Sequence, residues 1–305
     1  MNLNEIMVWE WPVAAYLFLG GAGAGAMLVA VAIRTLRRTV YDPVAIAGAA
    51  LAGPTLAAGT ALLILDLGVG RWEPWRLIYL YTHTSSVMMW GTWIITVFIP
   101  VALLYAGAIS AWRPRWKPGA TLLEWAANHE VHLRAISAAL AAGTAIYTGF
   151  LLFEAGQGFP VWRTVALPLL FFVSALSTGL SAAVIIGRWW VPGGERSMHP
   201  MMRAHLTLIV AELAALAAWL QTTSASDAGR AAAHNVFAGS LAPLFWGGVV
   251  FVGLVWPILS HIYAHNGGRL GQHLVVSGDG GVLVGGYCLR VLVLAAAVPT
   301  LARQL

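Results

Sequence analysis

The sequence predicts an all-α membrane protein: eight transmembrane helices, arranged as two four-helix bundles, with both termini on the outer side. Three observations predict it. The 305 residues are 59% hydrophobic and only 10% charged, with a mean hydropathy of +0.77, a balance that a soluble domain of this size does not carry. Eight apolar stretches reach the roughly 20 residues needed to cross a ~30 Å hydrocarbon core. The basic residues alternate between rich and poor connections.

The spans are expected at about 12–33, 43–66, 83–107, 133–153, 165–187, 203–222, 238–262 and 282–301. Residues 1–160 then make the first four-helix half and residues 161–305 the second. The first span has Glu5 and Glu10 before it and no Lys or Arg, so it reads as a retained helix and not as a signal peptide. Connections after spans one, three, five and seven hold eleven basic residues: Arg34, Arg37, Arg38, Arg113, Arg115, Lys117, Arg134, Arg188, Arg196, Arg203 and Arg269. The other connections and the C-terminal tail hold five: Arg71, Arg76, Arg163, Arg230 and Arg303. By the positive-inside rule the first set is cytoplasmic. The net charge of +5 therefore reflects topology, and no nucleic-acid partner is expected, because no basic stripe lies on a soluble domain. A short amphipathic helix over Glu124–Arg134 is expected on the inner surface. The outer connections, richer in Trp and acid, suit docking of a peripheral protein.

Cys288 is the one cysteine, which excludes a disulfide framework or a four-cysteine iron–sulfur cluster in this chain. The glycines Gly20, Gly21, Gly23 and Gly25 loosely imitate a nucleotide loop. No strand precedes them, so close helix packing through Gly21 and Gly25 is the better reading. Phe18–Gly25 and Phe172–Gly179 also resemble each other, as a duplication of two parallel halves would produce. Recurrence of small residues wherever membrane helices pack gives the same pattern.

Ionisable groups inside a membrane are costly and by default indicate function. Threading the spans brings Glu10, Tyr16, Asp66, Arg71, His83, Tyr147 and Glu154 near one outer level. A structural reading exists for each: a helix-end ion pair for Asp66 with Arg71 or His83, an interfacial anchor for each tyrosine. Taken together, phenols, an imidazole and carboxylates can hydrogen-bond the two carbonyls of a quinone and carry its two protons. An apolar slot between helices would hold the prenyl tail. Tyr147, Tyr16 and His83 are the expected carbonyl partners, and Asp66 and Glu154 the expected proton carriers.

The segments Trp11-Pro-Val-Ala-Ala-Tyr-Leu-Phe-Leu-Gly-Gly21, Leu65-Asp-Leu-Gly68, Thr84-Ser-Ser-Val-Met-Met-Trp-Gly-Thr-Trp93, Tyr147-Thr-Gly-Phe-Leu-Leu152, Leu167-Pro-Leu-Leu-Phe-Phe-Val-Ser-Ala-Leu176 and Gly285 to Arg290 resemble the NrfD/PsrC-like family. These are the membrane subunits of polysulfide-reductase-type complexes. The resemblance implies a multi-pass subunit of the bacterial cytoplasmic membrane that binds menaquinone or ubiquinone near the outer face and has no haem or cluster of its own. It implies as partners a ferredoxin-like iron–sulfur subunit on the outer face and a molybdopterin catalytic subunit. The family's quinone-site tyrosine falls on Tyr147 and its second-helix aspartate on Asp66. A first-helix position that is His in some members is Tyr16 here, and a nearby Asn is Val13.

Towards the inner side, Glu212 and Arg290 each lie about nine residues into spans six and eight. At 1.5 Å per residue both sit roughly 13 Å deep, so they can meet as an ion pair. With His205 on the same face as Glu212, and His261 at the inner end of span seven, they can also form a proton path from the cytoplasm. Two other classes compete with the quinone reading. A dihaem cytochrome b needs opposed histidines within spans, and His83 and His205 lie near opposite helix ends. A secondary transporter needs broken helices at the midplane, and most of Pro100, Pro168, Pro243 and Pro257 lie near helix ends.

Overall fold

A computed structural model of the protein describes residues 11–66, 74–82, 86–110, 117–156, 159, 161–192, 198–264 and 268–297. Helices and no strand occur among the described residues. In sequence order they are α1 (Trp11–Thr35), α2 (Asp42–Asp66), a 3-10 segment (Pro74–Tyr81), α3 (Val87–Ile109) and α4 (Lys117–Asn128). There follow α5 (Glu130–Ala155), α6 (Ala166–Trp190), α7 (Met198–Thr223) and α8 (Asp227–Ala238). The continuous helix α9 (Leu244–Ala264) has π winding from Leu244 to Val255, and α10 (Gly268–Ala295) is the last. Eight of these are long and apolar enough to cross a membrane: α1, α2, α3, α5, α6, α7, α9 and α10.

Two expected boundaries move. The surface helix is Lys117–Asn128 rather than Glu124–Arg134. His129 has non-helical backbone angles (φ −108°, ψ 20°) and ends it, while Arg134 belongs to the membrane helix α5. Span eight runs over His273–Ala295, not 282–301. Asp279 interrupts the apolar run that marks a span in sequence, yet the helix continues through it because the carboxylate turns inward and is fully buried.

Helices α1, α2, α3 and α5 pack in a ring, each against two neighbours. In the second half, α6 packs against α7 and α10, and α9 against α10. The halves join where α6 lies along α1, α2 and α5, and where α10 touches α1. In hydrocarbon no hydrophobic force separates helix from lipid, so close van der Waals approach decides which helices associate. Glycine supplies that approach. A methyl group on Gly25 would overlap the Ala175 carbonyl, and one on Gly179 would overlap the backbone of Gly25 and Ala26. The two segments that resemble each other in sequence therefore cross face to face at the junction of the halves.

Polar contacts fasten both ends of the bundle. Arg34, in the last turn of α1, reaches Asp42 at the start of α2 (3.3 Å) and Glu130 at the start of α5 (3.2 Å). Arg134 donates to the Arg34 carbonyl at 3.2 Å. At the other end, the segment before α6 is pinned by two buried indoles: Trp162 Nε1 donates to Val293 O (2.8 Å), and Trp219 Nε1 to Val161 O (3.0 Å).

Replacing Gly25 by Leu should prevent the α1–α6 crossing, at more than the about 1–3 kcal/mol of ordinary overpacking. Gly20→Ala, where nothing lies within 4 Å of the added carbon, should be tolerated. Thermal unfolding in detergent, read as loss of a monodisperse peak, checks both.

Candidate functional site

The Tyr16 side chain enters the first-half ring from α1 and the Tyr147 side chain from α5, and the two phenols lie close enough to interact. Each ring is seated against a glycine of a neighbouring helix. Gly59 of α2 lies beside the Tyr16 ring, and the Tyr147 ring fills the space that a side chain on Gly91 of α3 would need. Tyr16 is 1% and Tyr147 7% exposed. Both lie towards the end of the bundle at which α1 begins.

The two tyrosines line a small cleft of about 90 Å³. Thr60, Thr92, Thr96 and Tyr81 add hydroxyls; Leu63, Ile64, Leu77, Leu80, Met88 and Ile95 supply the apolar wall. The 3-10 segment forms one side of the cleft. Its Tyr81 hydroxyl bonds Thr96 Oγ1 at 2.9 Å, and its ring meets Trp93 edge-on at 5.2 Å. Thr60, Thr92 and Thr96 donate to the carbonyls of Leu56, Met88 and Thr92, four residues back. Their protons are thus committed and their oxygens can only accept. The tyrosine pair differs: a phenol O–H stands too far out to reach its own helix carbonyls, so the pair keeps donor capacity for an acceptor in the cleft.

Of the residues expected at this level, the structure brings Tyr16 and Tyr147 together. Asp66 ends α2 and is exposed, and Glu154 is exposed in the last turn of α5; neither lines the cleft. Glu10, Arg71 and His83 lie outside the described residues. Sequence reasoning missed Thr60, Tyr81, Thr92, Thr96 and Gly91. Met88, Thr92, Ile95 and Thr96 sit at i, i+4, i+7 and i+8, one face of a helix, and that spacing was the available signal. Nothing local marks Gly91, whose role depends on a ring from another helix.

A second polar system runs through the other half. Arg290 is 1% exposed and donates through Nη1 to Ser174 Oγ (2.5 Å) and to Gly286 O (2.8 Å). Its guanidinium carbon stands 5.3 Å from the centre of the Phe171 ring. Glu212 lies near Arg290, Ser174 and Ser177, but the guanidinium's hydrogen bonds go to Ser174 and Gly286, so the two charges are neighbours and not the expected contact ion pair. Ser174, Ser177 and Ser181 fall on one face of α6 at steps of three and four residues. Ser181 Oγ lies 3.3 Å from His205 Nε2. The His205 and His261 rings are 5.1 Å apart, and His205 Nε2 is 3.1 Å from Asp279 Oδ1. A string of buried polar groups therefore links α6, α7, α9 and α10. Asp279 was missed because the eighth span was expected to begin after it.

The comparisons with known proteins agree with this architecture. A family model described as polysulphide reductase, NrfD, matches residues 1–302. The C subunit of polysulfide reductase from Wolinella succinogenes is 31% identical over 95% of this protein and 94% of its own length. Protein NrfD of Escherichia coli is 29% identical over 98% of this protein and 97% of its own length. A protein NrfD homolog of Haemophilus influenzae is 25% identical over 97% and 96%. With the family model spanning nearly every residue, this multi-pass membrane chain belongs to the polysulphide reductase NrfD family.

Proposed function

We propose that this chain is the quinone-reactive membrane subunit of a respiratory oxidoreductase complex of the bacterial cytoplasmic membrane, and that the Tyr16–Tyr147 cleft receives the quinone head group. The observation that carries the reading is a pair of adjacent phenols lining a largely apolar cleft near one end of the bundle. A quinone carbonyl needs a donor and no cation, and a prenyl tail needs an apolar wall between helices; the lining offers both. The quinone supplies two-electron, two-proton chemistry when bound. The subunit's own residues orient it: Tyr147 donates to one carbonyl, Tyr16 holds Tyr147 in place, and the 3-10 segment keeps water from the ring.

The partners follow from the same reading. A subunit with one cysteine cannot hold a four-cysteine cluster, so electrons pass to or from an iron–sulfur subunit docked at the cleft's end of the bundle, the expected outer face. The exposed Trp75, Ile78 and Tyr79 of the 3-10 segment offer it an apolar footing. That subunit in turn serves a molybdopterin enzyme. Whether menaquinone or ubiquinone is used depends on the membrane that holds the protein. Asp66, at the rim, receives protons from the water phase and not from the quinone directly.

The buried string from Ser181 through Ser177 and Glu212 to Ser174 and Arg290 favours a second role, proton movement through the other half. Its members lie near one another on α6, α7 and α10, and a purely structural charge pair needs no serine ladder beside it.

Tyr147→Phe removes the free donor while keeping the ring. It should lower quinol turnover about tenfold, the worth of a hydrogen bond of about 1.4 kcal/mol, with complex assembly unchanged. Normal quinol kinetics in that variant would contradict the site. Gly91→Ala should displace the Tyr147 ring and lower turnover as well, read by the same quinol oxidation or reduction assay with the partner subunits present. For the second half, Glu212→Gln should slow proton uptake in reconstituted vesicles without weakening quinone binding, and unchanged proton translocation would remove that role.

A further inference from the structure

We propose that His205, His261 and Asp279 form a binding site for a divalent transition metal of the zinc class. The three come from three helices, α7, α9 and α10, and are 2%, 2% and 0% exposed. One nitrogen or oxygen from each lies within 4.8 Å of the other two. Two imidazoles and a carboxylate are a donor set that zinc takes, at about 2.0–2.2 Å per bond. Two ligands at such lengths around a tetrahedral ion stand about 3.4 Å apart, and His205 Nε2 and Asp279 Oδ1 stand 3.1 Å apart.

One hydrogen bond at the cluster frees a lone pair on His261. His261 Nδ1 lies 2.7 Å from Pro257 O. A carbonyl only accepts, so Nδ1 carries the proton and Nε2 of the neutral ring is left with its lone pair free. Metal-bound histidines are held in this way, with the far nitrogen donating to a carbonyl. Both Asp279 oxygens are buried and neither accepts a hydrogen bond of ordinary geometry. His205 Nε2 and Asp279 Oδ1 thus stand 3.1 Å apart with no hydrogen bond of ordinary geometry between them, as two ligands of one ion do. Ser181 Oγ, 3.3 Å from His205 Nε2, stands where a hydroxyl or a water completes the coordination.

Charge points the same way. A carboxylate closed inside a membrane bundle with no cation beside it is among the most costly arrangements a protein can hold. Arg290, eleven residues along α10, is occupied by Glu212 and Ser174. A divalent cation offsets the Asp279 charge directly and gives both orphan oxygens a partner. The cluster lies within about 17 Å, at 1.5 Å per residue, of the helix ends at Met198, Ala264 and Gly268, so an ion enters from the side carrying Arg34. As ligands, His205 and His261 take no part in proton transfer; the groups from Ser177 to Arg290 are untouched.

The test uses the full-length protein purified in detergent, stripped with chelator, then given Zn²⁺ or Co²⁺ and desalted. Elemental analysis should find about one zinc per protein molecule, and Co²⁺ should give the visible bands of a four-coordinate nitrogen–oxygen site. Zinc should also raise the thermal unfolding temperature. Asp279→Asn and His261→Gln should each weaken binding at least about tenfold, while His129→Gln, on the exposed surface helix end, should leave it unchanged. A wild-type protein that retains only traces of zinc and gives no cobalt bands overturns the proposal, as does an Asp279→Asn variant that binds like wild type. Where a variant fails to fold, the wild-type cobalt spectrum and zinc-dependent stabilisation decide. No readout involves quinol turnover, so failure here leaves the quinone reading standing.

Discussion

A polar group inside hydrocarbon has no water to turn to, and every buried hydroxyl, imidazole or charge in this bundle has to be answered by another side chain or a backbone carbonyl. That constraint shapes both halves. In the first, two phenols sit side by side and threonines answer their own helix. In the second, a guanidinium is shared between a serine and a backbone carbonyl, faces a carboxylate and stacks on a phenyl ring. Where the answers run out, something else must come. The first half leaves phenolic donors facing a cleft; the second leaves two carboxylate oxygens beside two imidazoles.

Glycine is the other half of the same logic. The polar groups can meet only because backbones approach closely enough. Gly25 and Gly179 bring α1 against α6, and so set the halves side by side. Gly91 admits the Tyr147 ring. Gly21 and Gly286 lie against the Arg290 guanidinium, where a larger residue would crowd it. Sites in such a bundle are made by what the helices omit as much as by what they carry.

The architecture was legible because a run of twenty apolar residues admits few alternatives in a protein this poor in charge. Tyr16 and Tyr147 were legible for a related reason: depth can be counted along a helix. Azimuth cannot be counted so easily. Asp66 and Glu154 were placed at the right level, yet each residue turns about 100° from the last, and both face outward. Arg290 and Glu212 were matched by depth and lie near each other without closing a contact pair. Asp279 escaped because a charge was taken as the end of a span, although burial against His205 lets the helix run on. Gly91 left no trace in its own neighbourhood.

The central claim is that a quinone head group sits against Tyr147 between α1, α2, α3 and α5. A photoreactive quinone analogue, cross-linked in membranes that contain the assembled complex and mapped by mass spectrometry, tests it most directly. Labelling is expected on peptides that carry Thr60–Ile64, Met88–Thr96 or Tyr147, suppressed by excess natural quinone. Competable labelling confined to α7, α9 or α10 would contradict it.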